Sequence, residues 1–436
     1  MSYKTLSAPI TCQIELTTGC NNDCLYCYNH WRHDKTIDGA NMHDELLDLT
    51  LNQIIDARVF QVTFTGGETL LRKKQLFRGI DRLISADVSC AVNTNLTTLT
   101  DSDARELYRL GLRGILTSLC SHDRTRHDFI SQRKGSFDDT LRGIKKAQDA
   151  GLFVAASMVI TSLNAHDVLP AGLFLKELGV QQMFATKASP PVNALGFQHY
   201  MITHKDLMNT LEDLNVLRNE HGMNVGILEC YPLCSYGDTS RFPFVADRRC
   251  SAGITTCTIG ASGEIRPCSH SDISYGNIST EGLLGAWNAM EDQRDGSLLP
   301  PTCKECTLLA SCSGGCRVDA FCYSGRYDTL DPYAQPQLVQ SVITKQPTFA
   351  PINGRDHFRV NPQLHIRNES MGVLCADSSA MGTPALLTSD TYELVQQLEK
   401  DSFSVDDVTR ITGLDITDAN TLCGMLLHDK ILLRSS

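Results

Sequence analysis

The sequence predicts an α/β protein: a partial (β/α)6 barrel, then a small cysteine-rich domain, then a C-terminal α+β unit. Three observations lead there. β-rich segments alternate with helical patterns of about 10–15 residues through the first half, the signature of a parallel sheet. Eleven of the 18 cysteines fall into three groups. A proline- and glutamine-rich stretch then separates the last cysteine group from a segment with three helix-start signals. At about 150 residues per domain, 436 residues suit about three domains. The expected boundaries are 1–235 for the barrel, 236–330 for the cysteine-rich domain, 331–355 for a linker and 356–436 for the C-terminal unit.

The elements follow in order. Residues 12–17 alternate like a strand and run directly into the first cysteine group, while 46–57 have helical spacing. Residues 59–65 form a second strand that ends in Gly66-Gly67-Glu68. Helices are expected over 73–86, 102–110, 137–150 and 165–178, with strands over 88–93, 114–119, 153–161 and 180–185 between and after them. In barrels of this kind functional groups sit at the C-terminal ends of strands, where both the cysteine group and the Gly-Gly-Glu turn fall. Beyond the linker, 358–374 alternate weakly like a hairpin. Helices then start near Asp390, at Ser404 with Asp407, and at Thr417, and Gly413 stops the middle one.

The composition narrows the function. With 39 basic against 50 acidic side chains the formal charge is −11, which opposes binding to nucleic acid or anionic membrane through bulk charge. Apolar residues at 42% and charged residues at 20% describe a folded chain. No run reaches 18 apolar residues and residues 1–11 have no apolar signal core, so a cytoplasmic protein is expected. In a long chain without an export signal, grouped thiols point to metal and not to a disulfide framework.

The groups are Cys20, Cys24 and Cys27; Cys250, Cys257 and Cys268; and Cys303, Cys306, Cys312, Cys316 and Cys322. Zinc is one metal such pairs can hold. Three thiols without an adjacent fourth, however, suit an iron–sulfur cubane with one iron left open. The other seven (Cys12, Cys90, Cys120, Cys230, Cys234, Cys375 and Cys423) read as small buried hydrophobes.

The spacing Cys20-x3-Cys24-x2-Cys27 after the first strand, with Gly-Gly-Glu after the second, resembles the radical S-adenosylmethionine (SAM) superfamily over about residues 8–220. The resemblance implies a TIM-like partial barrel. It also implies a [4Fe–4S] cluster on the three cysteines whose open iron is chelated by SAM. One electron, from a partner such as flavodoxin or ferredoxin, then yields a 5′-deoxyadenosyl radical that takes hydrogen from an unactivated C–H bond. Carried over, Tyr26 packs near the adenine, Gly66 and Gly67 permit close backbone approach, and Glu68 assists binding of the SAM amino group. Asn95 in Thr94-Asn95-Leu96 matches a strand-end motif whose usual glycine is here Leu96. Ser118 matches the serine of a common turn in which Cys120 replaces aspartate.

The second half resembles the SPASM extension of peptide-modifying members. Twelve residues separate Cys250 from Gly263 and four separate Gly263 from Cys268; C-x2-C-x5-C-x3-C over Cys303 to Cys316 follows, and Cys322 closes the set. The resemblance implies two auxiliary [4Fe–4S] clusters, one on Cys250, Cys257, Cys268 and Cys316 and the other on Cys303, Cys306, Cys312 and Cys322. With the SAM cluster this makes three. Cys257 lies outside the minimal pattern, and without it the first auxiliary cluster has an open iron. Ser269 stands where sulfatase-maturing members have an aspartate base.

Residues 356–436 resemble the winged-helix peptide-recognition element of enzymes that modify ribosomally made peptides. With 6 basic against 12 acidic side chains, this segment opposes a phosphate-binding surface. A leader peptide adding a strand to the hairpin edge is the implied partner. The resulting expectation is a maturase that forms a crosslink or other oxidative modification in a precursor peptide. An epimerase using Cys120 as hydrogen donor, a sulfatase-maturase-like enzyme and a non-enzymatic iron–sulfur electron carrier or sensor are the alternatives.

Overall fold

Side-chain alternation sets the first strand: in β1 (Thr11–Glu15) Cys12 and Ile14 are fully buried. In the computed structural model, which describes residues 5–32, 39–192, 196–246, 248–341, 352, 356–378, 384–398 and 402–435, βα units then repeat along the chain. They are α1 (Asp44–Asp56), β2 (Gln61–Thr65), α2 (Lys73–Ile84), β3 (Ser89–Asn93), α3 (Asp101–Arg109) and β4 (Gly114–Ser118). Next come α4 (Arg124–Ser131), α5 (Ser136–Asp149), β5 (Phe153–Ile160), α6 (Val168–Glu177), β6 (Gln182–Lys187), α7 (His204–Asn219) and β7 (Asn224–Gly226). Helix starts follow local chemistry: Thr100 and Asp103 form a capping box on α3, and Thr203 and Asp206 form one on α7.

The strands run β7-β6-β5-β4-β3-β2-β1-β8-β9, parallel from β7 through β8 (Thr256–Ile259) and closed by the antiparallel β9 (Ile265–Arg266). The expected α/β barrel is therefore present. Its last anticipated strand sits two residues later than read, and α4 was not anticipated. Only Phe129 and Ile130 of α4 are large and apolar, so the helix rests on its Asp123 N-cap and not on a hydrophobic stripe.

The cysteine-rich segment does not start a new sheet. β8 adds to the free flank of β1, in register Cys12↔Cys257, and the turn to β9 uses Gly263 at φ 87°. The segment continues through short helices: α8 (Pro243–Ala246) precedes β8, and α9 (Gly282–Ala289), α10 (Pro301–Lys304), α11 (Leu309–Cys312) and α12 (Arg317–Ser324) follow β9. Trp287 is fully buried and its indole N–H donates to the Leu6 carbonyl at 2.9 Å. Barrel and cysteine-rich segment thus share one apolar core.

Residues 342–351 and 353–355 of the expected linker lie outside the described residues. After it comes an antiparallel β/α unit with a core of its own. Its elements are β10 (Phe358–Val360), β11 (Leu364–Glu369), β12 (Gly372–Asp377), β13 (Ala385–Leu387), α13 (Ser389–Gln397), α14 (Val405–Thr412), α15 (Ile416–His428) and β14 (Leu432–Arg434). β10 pairs with β14, and β11-β12-β13 form a second sheet. Ser404 and Asp407 form the expected capping box, and Gly413 ends α14 at φ 74°.

This unit docks on the N-terminal ends of the barrel strands. Arg367 donates to the carbonyls of Ala8 and Pro9 at 2.8 Å and of Arg58 at 3.2 Å, and pairs with Glu369 at 2.8 Å. The Ser89 hydroxyl donates to the Ser378 carbonyl at 2.8 Å, and the Phe60 and His365 rings lie 4.6 Å apart. Arg367 and Glu369 side chains are 5% and 1% exposed, and without the cation the buried carboxylate keeps only the Ser7 N–H and hydroxyl as partners. Arg367→Ala is expected to lower stability by about 3 kcal/mol in denaturant unfolding.

Candidate active site

The loop after β1 carries Cys20, Cys24 and Cys27, and its shape is fixed by backbone bonds to neighbouring strand ends. Asp23 and Leu25 N–H groups donate to the Ser131 and Ile130 carbonyls at the end of α4. From β2, the Gly67 N–H donates to the Thr17 carbonyl at 2.7 Å and the Glu68 N–H to the Gly19 carbonyl at 2.9 Å. That approach requires glycine: a Cβ at Gly66, whose φ is 118°, would meet the Thr17 carbonyl, and one at Gly67 would meet that of Gly19.

The sequence-selected residues converge on one cavity of about 180 Å3. It is lined by the three thiols together with Tyr26, Gly66, Gly67, Glu68, Asn95, Ser118 and Cys120. Glu68 is buried; its carboxylate accepts from the Leu70 N–H at 2.9 Å, the Thr94 hydroxyl at 2.5 Å and the Asn95 N–H at 2.8 Å. It therefore ties the β2 end to the β3 end. Asn95 reaches back to the cysteine loop, donating to Asn21 Oδ1 at 2.7 Å. Leu96 adopts φ 61°, so the backbone keeps the left-handed turn without the glycine.

Tyr26 is held between the side chain of Ser118 and Cys120, whose Sγ lies 3.7 Å from the Tyr26 hydroxyl. Burial pushes the Cys120 thiol up to about 12, so it stays protonated. The Cys120 N–H donates to His127 Nδ1 at 3.2 Å, and burial lowers His127 to about 4, which keeps that ring a neutral acceptor.

Burial also raises Cys20, Cys24 and Cys27, the last to about 12. Four thiols line this cavity; Cys120 is engaged with the Tyr26 hydroxyl, and the three on the β1 loop fit an iron–sulfur cluster with a free corner.

A second cavity, of about 460 Å3, continues through the barrel interior. It shares Tyr26, Tyr28, Asn93, Thr94, Ser118 and Val159 with the first and ends on Cys230, Cys250, Cys268 and Cys316. The Cys230 thiol hydrogen-bonds those of Cys250 and Cys316, and that bond draws Cys250 down to about 7. Arg266 of β9 sets the height of this group. It pairs with Glu15 at the end of β1, both being 1% exposed, and donates to the Ser269 and Ser271 carbonyls at 3.2 and 2.8 Å. Lys187, at the end of β6, makes a fully buried pair with Asp319, whose N–H donates to Cys316 Sγ at 3.5 Å. Ser269 Oγ lies 3.0 Å from the Tyr28 hydroxyl, and both line the cavity.

A third group gathers Cys234, Cys303, Cys306 and Cys312 around one small apolar pocket. Two thiols expected in these groups lie elsewhere. Cys257 has its Sγ 3.6 Å from Cys12 Sγ, because successive strand residues face opposite sides: Thr256 lines the cavity and Cys257 points into the core. Cys322 lies six residues along from Cys316, which caps α12, and its Sγ is 3.4 Å from the Pro190 carbonyl. Cys230 and Cys234 were not singled out in the sequence. Their C-x3-C spacing, identical to that of Cys312 and Cys316, is the signal that could have found them.

Known proteins resemble this chain in both of these parts. Residues 14–172 match the radical SAM superfamily, and residues 250–313 match the SPASM iron–sulfur cluster-binding domain. The AdoMet-dependent heme synthase of Nitratidesulfovibrio vulgaris is 22% identical over 340 residues, covering 74% of this chain and 92% of that protein. The sporulation killing factor maturation protein SkfB of Bacillus subtilis is 25% identical over 290 residues, covering 63% and 64%. Streptococcus suis SuiB bound to precursor peptide SuiA superposes with a TM-score of 0.60 at 17% identity, covering 76% of this chain and 77% of SuiB.

Two substitutions test the architecture. Gly67→Ala is expected to push the β1 loop away from β2, and iron analysis of anaerobically prepared protein should show loss of about one cubane. Arg266→Ala leaves Glu15 buried and unpaired and should cost about 3–5 kcal/mol in denaturant unfolding, whereas Glu15→Gln combined with Arg266→Met should cost clearly less.

Proposed function

We propose that this chain, a member of the radical SAM superfamily with a SPASM domain and hence an enzyme that uses SAM, acts on a ribosomally made precursor peptide and forms in it a crosslink or other net-oxidative modification. The observation that carries this reading is the cavity of about 460 Å3, which has Tyr26 and Ser118 on one wall and the thiols of Cys230, Cys250, Cys268 and Cys316 on another. A substrate placed there lies between a hydrogen-abstracting site and an electron-accepting one, as an oxidation requires.

In this reading Cys20, Cys24 and Cys27 hold the SAM-binding cluster, with two further clusters on the later thiol groups, three in all. Bound there, the cluster and SAM supply one-electron chemistry that removes a hydrogen atom from an unactivated carbon. The chain's own residues bind and orient. Tyr26, pinned by Ser118 and Cys120, gives the cofactor a flat wall, and the Gly66-Gly67 backbone lets it approach. Glu68 and Asn95 brace the loop that carries the triad; binding of the SAM amino group remains a proposed second duty of Glu68.

The likeness to SkfB, a maturation protein, supports a peptide substrate, as does the shared fold with SuiB, which was solved with a precursor peptide. The C-terminal unit is the proposed leader-binding element, and a flavodoxin or ferredoxin the proposed reductant. The epimerase alternative gains little, because Cys120 lines the cofactor cavity and not the larger one. Ser269 in place of an aspartate base counts against sulfatase-type maturation.

Reconstituted protein with dithionite and SAM is expected to release 5′-deoxyadenosine, and to contain about 12 iron atoms per chain. Co-expression with a precursor peptide that it modifies should lower the mass of that peptide by about 2 Da. An unchanged mass with deuterium uptake would move the assignment to epimerisation. Turnover of an added iron tetrapyrrole, with the peptide untouched, would move it to the heme-synthase side.

A further inference from the structure

We propose that Cys230 and Cys234 complete the two auxiliary iron–sulfur sites: Cys230 joins Cys250, Cys268 and Cys316, and Cys234 joins Cys303, Cys306 and Cys312. Cys257 and Cys322 then ligate neither site. This rests on the reading above that both thiol groups hold clusters.

Cys230 touches Cys250 and Cys316 through its thiol, and Cys268 has Cys250 and Cys316 as its neighbouring thiols, so these four sulfurs share one pocket. Cys257 is fully buried on the opposite side of β8, against Cys12, and no rotamer of a strand residue reaches through its own sheet. At the other site, Cys234 lines the same pocket as Cys303, Cys306 and Cys312, and the Leu233 N–H donates to Cys312 Sγ at 3.3 Å. A backbone N–H aimed at a ligand sulfur is the support that thiolate clusters take from their surroundings.

Cys322 is carried away from that pocket by α12. Six residues of helix from the Cys316 cap advance about 9 Å, and its thiol ends beside the Pro190 carbonyl and His270. Cys322 is not among the residues lining either pocket, and each pocket reaches the four thiols of a closed [4Fe–4S] cluster when the Cys230-Tyr231-Pro232-Leu233-Cys234 segment supplies one ligand to it.

The test uses the full chain, purified and reconstituted without oxygen, and reads iron, inorganic sulfide and the low-temperature EPR spectrum of the reduced protein. Cys322→Ser and Cys257→Ser are expected to keep about 12 iron atoms and the wild-type spectrum, while Cys230→Ser and Cys234→Ser each lose about 4 or shift one auxiliary signal. Because a ligand variant can misfold, the folded wild type is also alkylated with iodoacetamide and mapped by mass spectrometry, with and without prior cluster removal by chelator and oxidant. Cys322 and Cys234 are both half-buried without clusters. Cys322 should therefore label in both states, and Cys234 only after cluster removal. Wild-type iron near 4 would overturn the three-cluster reading itself. Wild-type iron near 12 with Cys234 labelled and Cys322 protected, or with iron lost from Cys322→Ser and kept in Cys234→Ser, would overturn the ligand assignment alone.

Discussion

Strand β1 is the constraint on which the molecule depends. It pairs with β2 on one flank and with β8 on the other, both in parallel. The first pairing brings the Gly-Gly-Glu turn under the triad loop. The second sets the β8–β9 hairpin beside β1, and the thiols that flank it, Cys250 before β8 and Cys268 after β9, line the cavity that continues from the triad. The buried Glu15–Arg266 pair fixes how far the hairpin extends past the strand end. A pair this deep contributes little net stability, since desolvation offsets most of its attraction, but it makes other alignments costly. Its value here is registry.

Much of the site was legible because the chemistry demands residue types at fixed short spacings. The triad, Gly66-Gly67-Glu68, Asn95 and Ser118 line one cavity, and each lies at a strand end or in the loop that follows one. Two kinds of information were not local. Whether Cys257 faces the cavity or the core depends on which residue of β8 pairs with which of β1, a tertiary register that spacing does not encode. Whether Cys322 returns to the Cys303 group depends on Cys316 starting a helix. Cys230 and Cys234 looked ordinary because they lie between barrel and cysteine-rich segment, outside both motifs.

Leu96 shows a different gap between pattern and structure. A glycine would suit its left-handed backbone, yet the side chain is fully buried. Burying a leucine is worth about 2 kcal/mol, comparable to the 1–2 kcal/mol of the unfavourable backbone state, so packing can hold the turn that glycine would otherwise permit. The helix beneath has adapted in turn: Gly143 of α5 leaves room for the Leu96 carbonyl, where a Cβ would collide.

The seat of the C-terminal unit sets a rule of reach. It grips the barrel at Ala8, Pro9, Arg58 and Asp87, at the pole where the strands begin, whereas the triad loop, Gly66-Gly67-Glu68 and Asn95 lie at the pole where they end. Five-residue strands alone span about 17 Å, and an extended chain covers about 3.3–3.6 Å per residue. Under the proposed leader-binding role, a polypeptide anchored at the far pole would spend on the order of ten residues before its first reactive side chain reaches the triad loop. The tether length between anchor and target would then act as a ruler that selects which residue is changed.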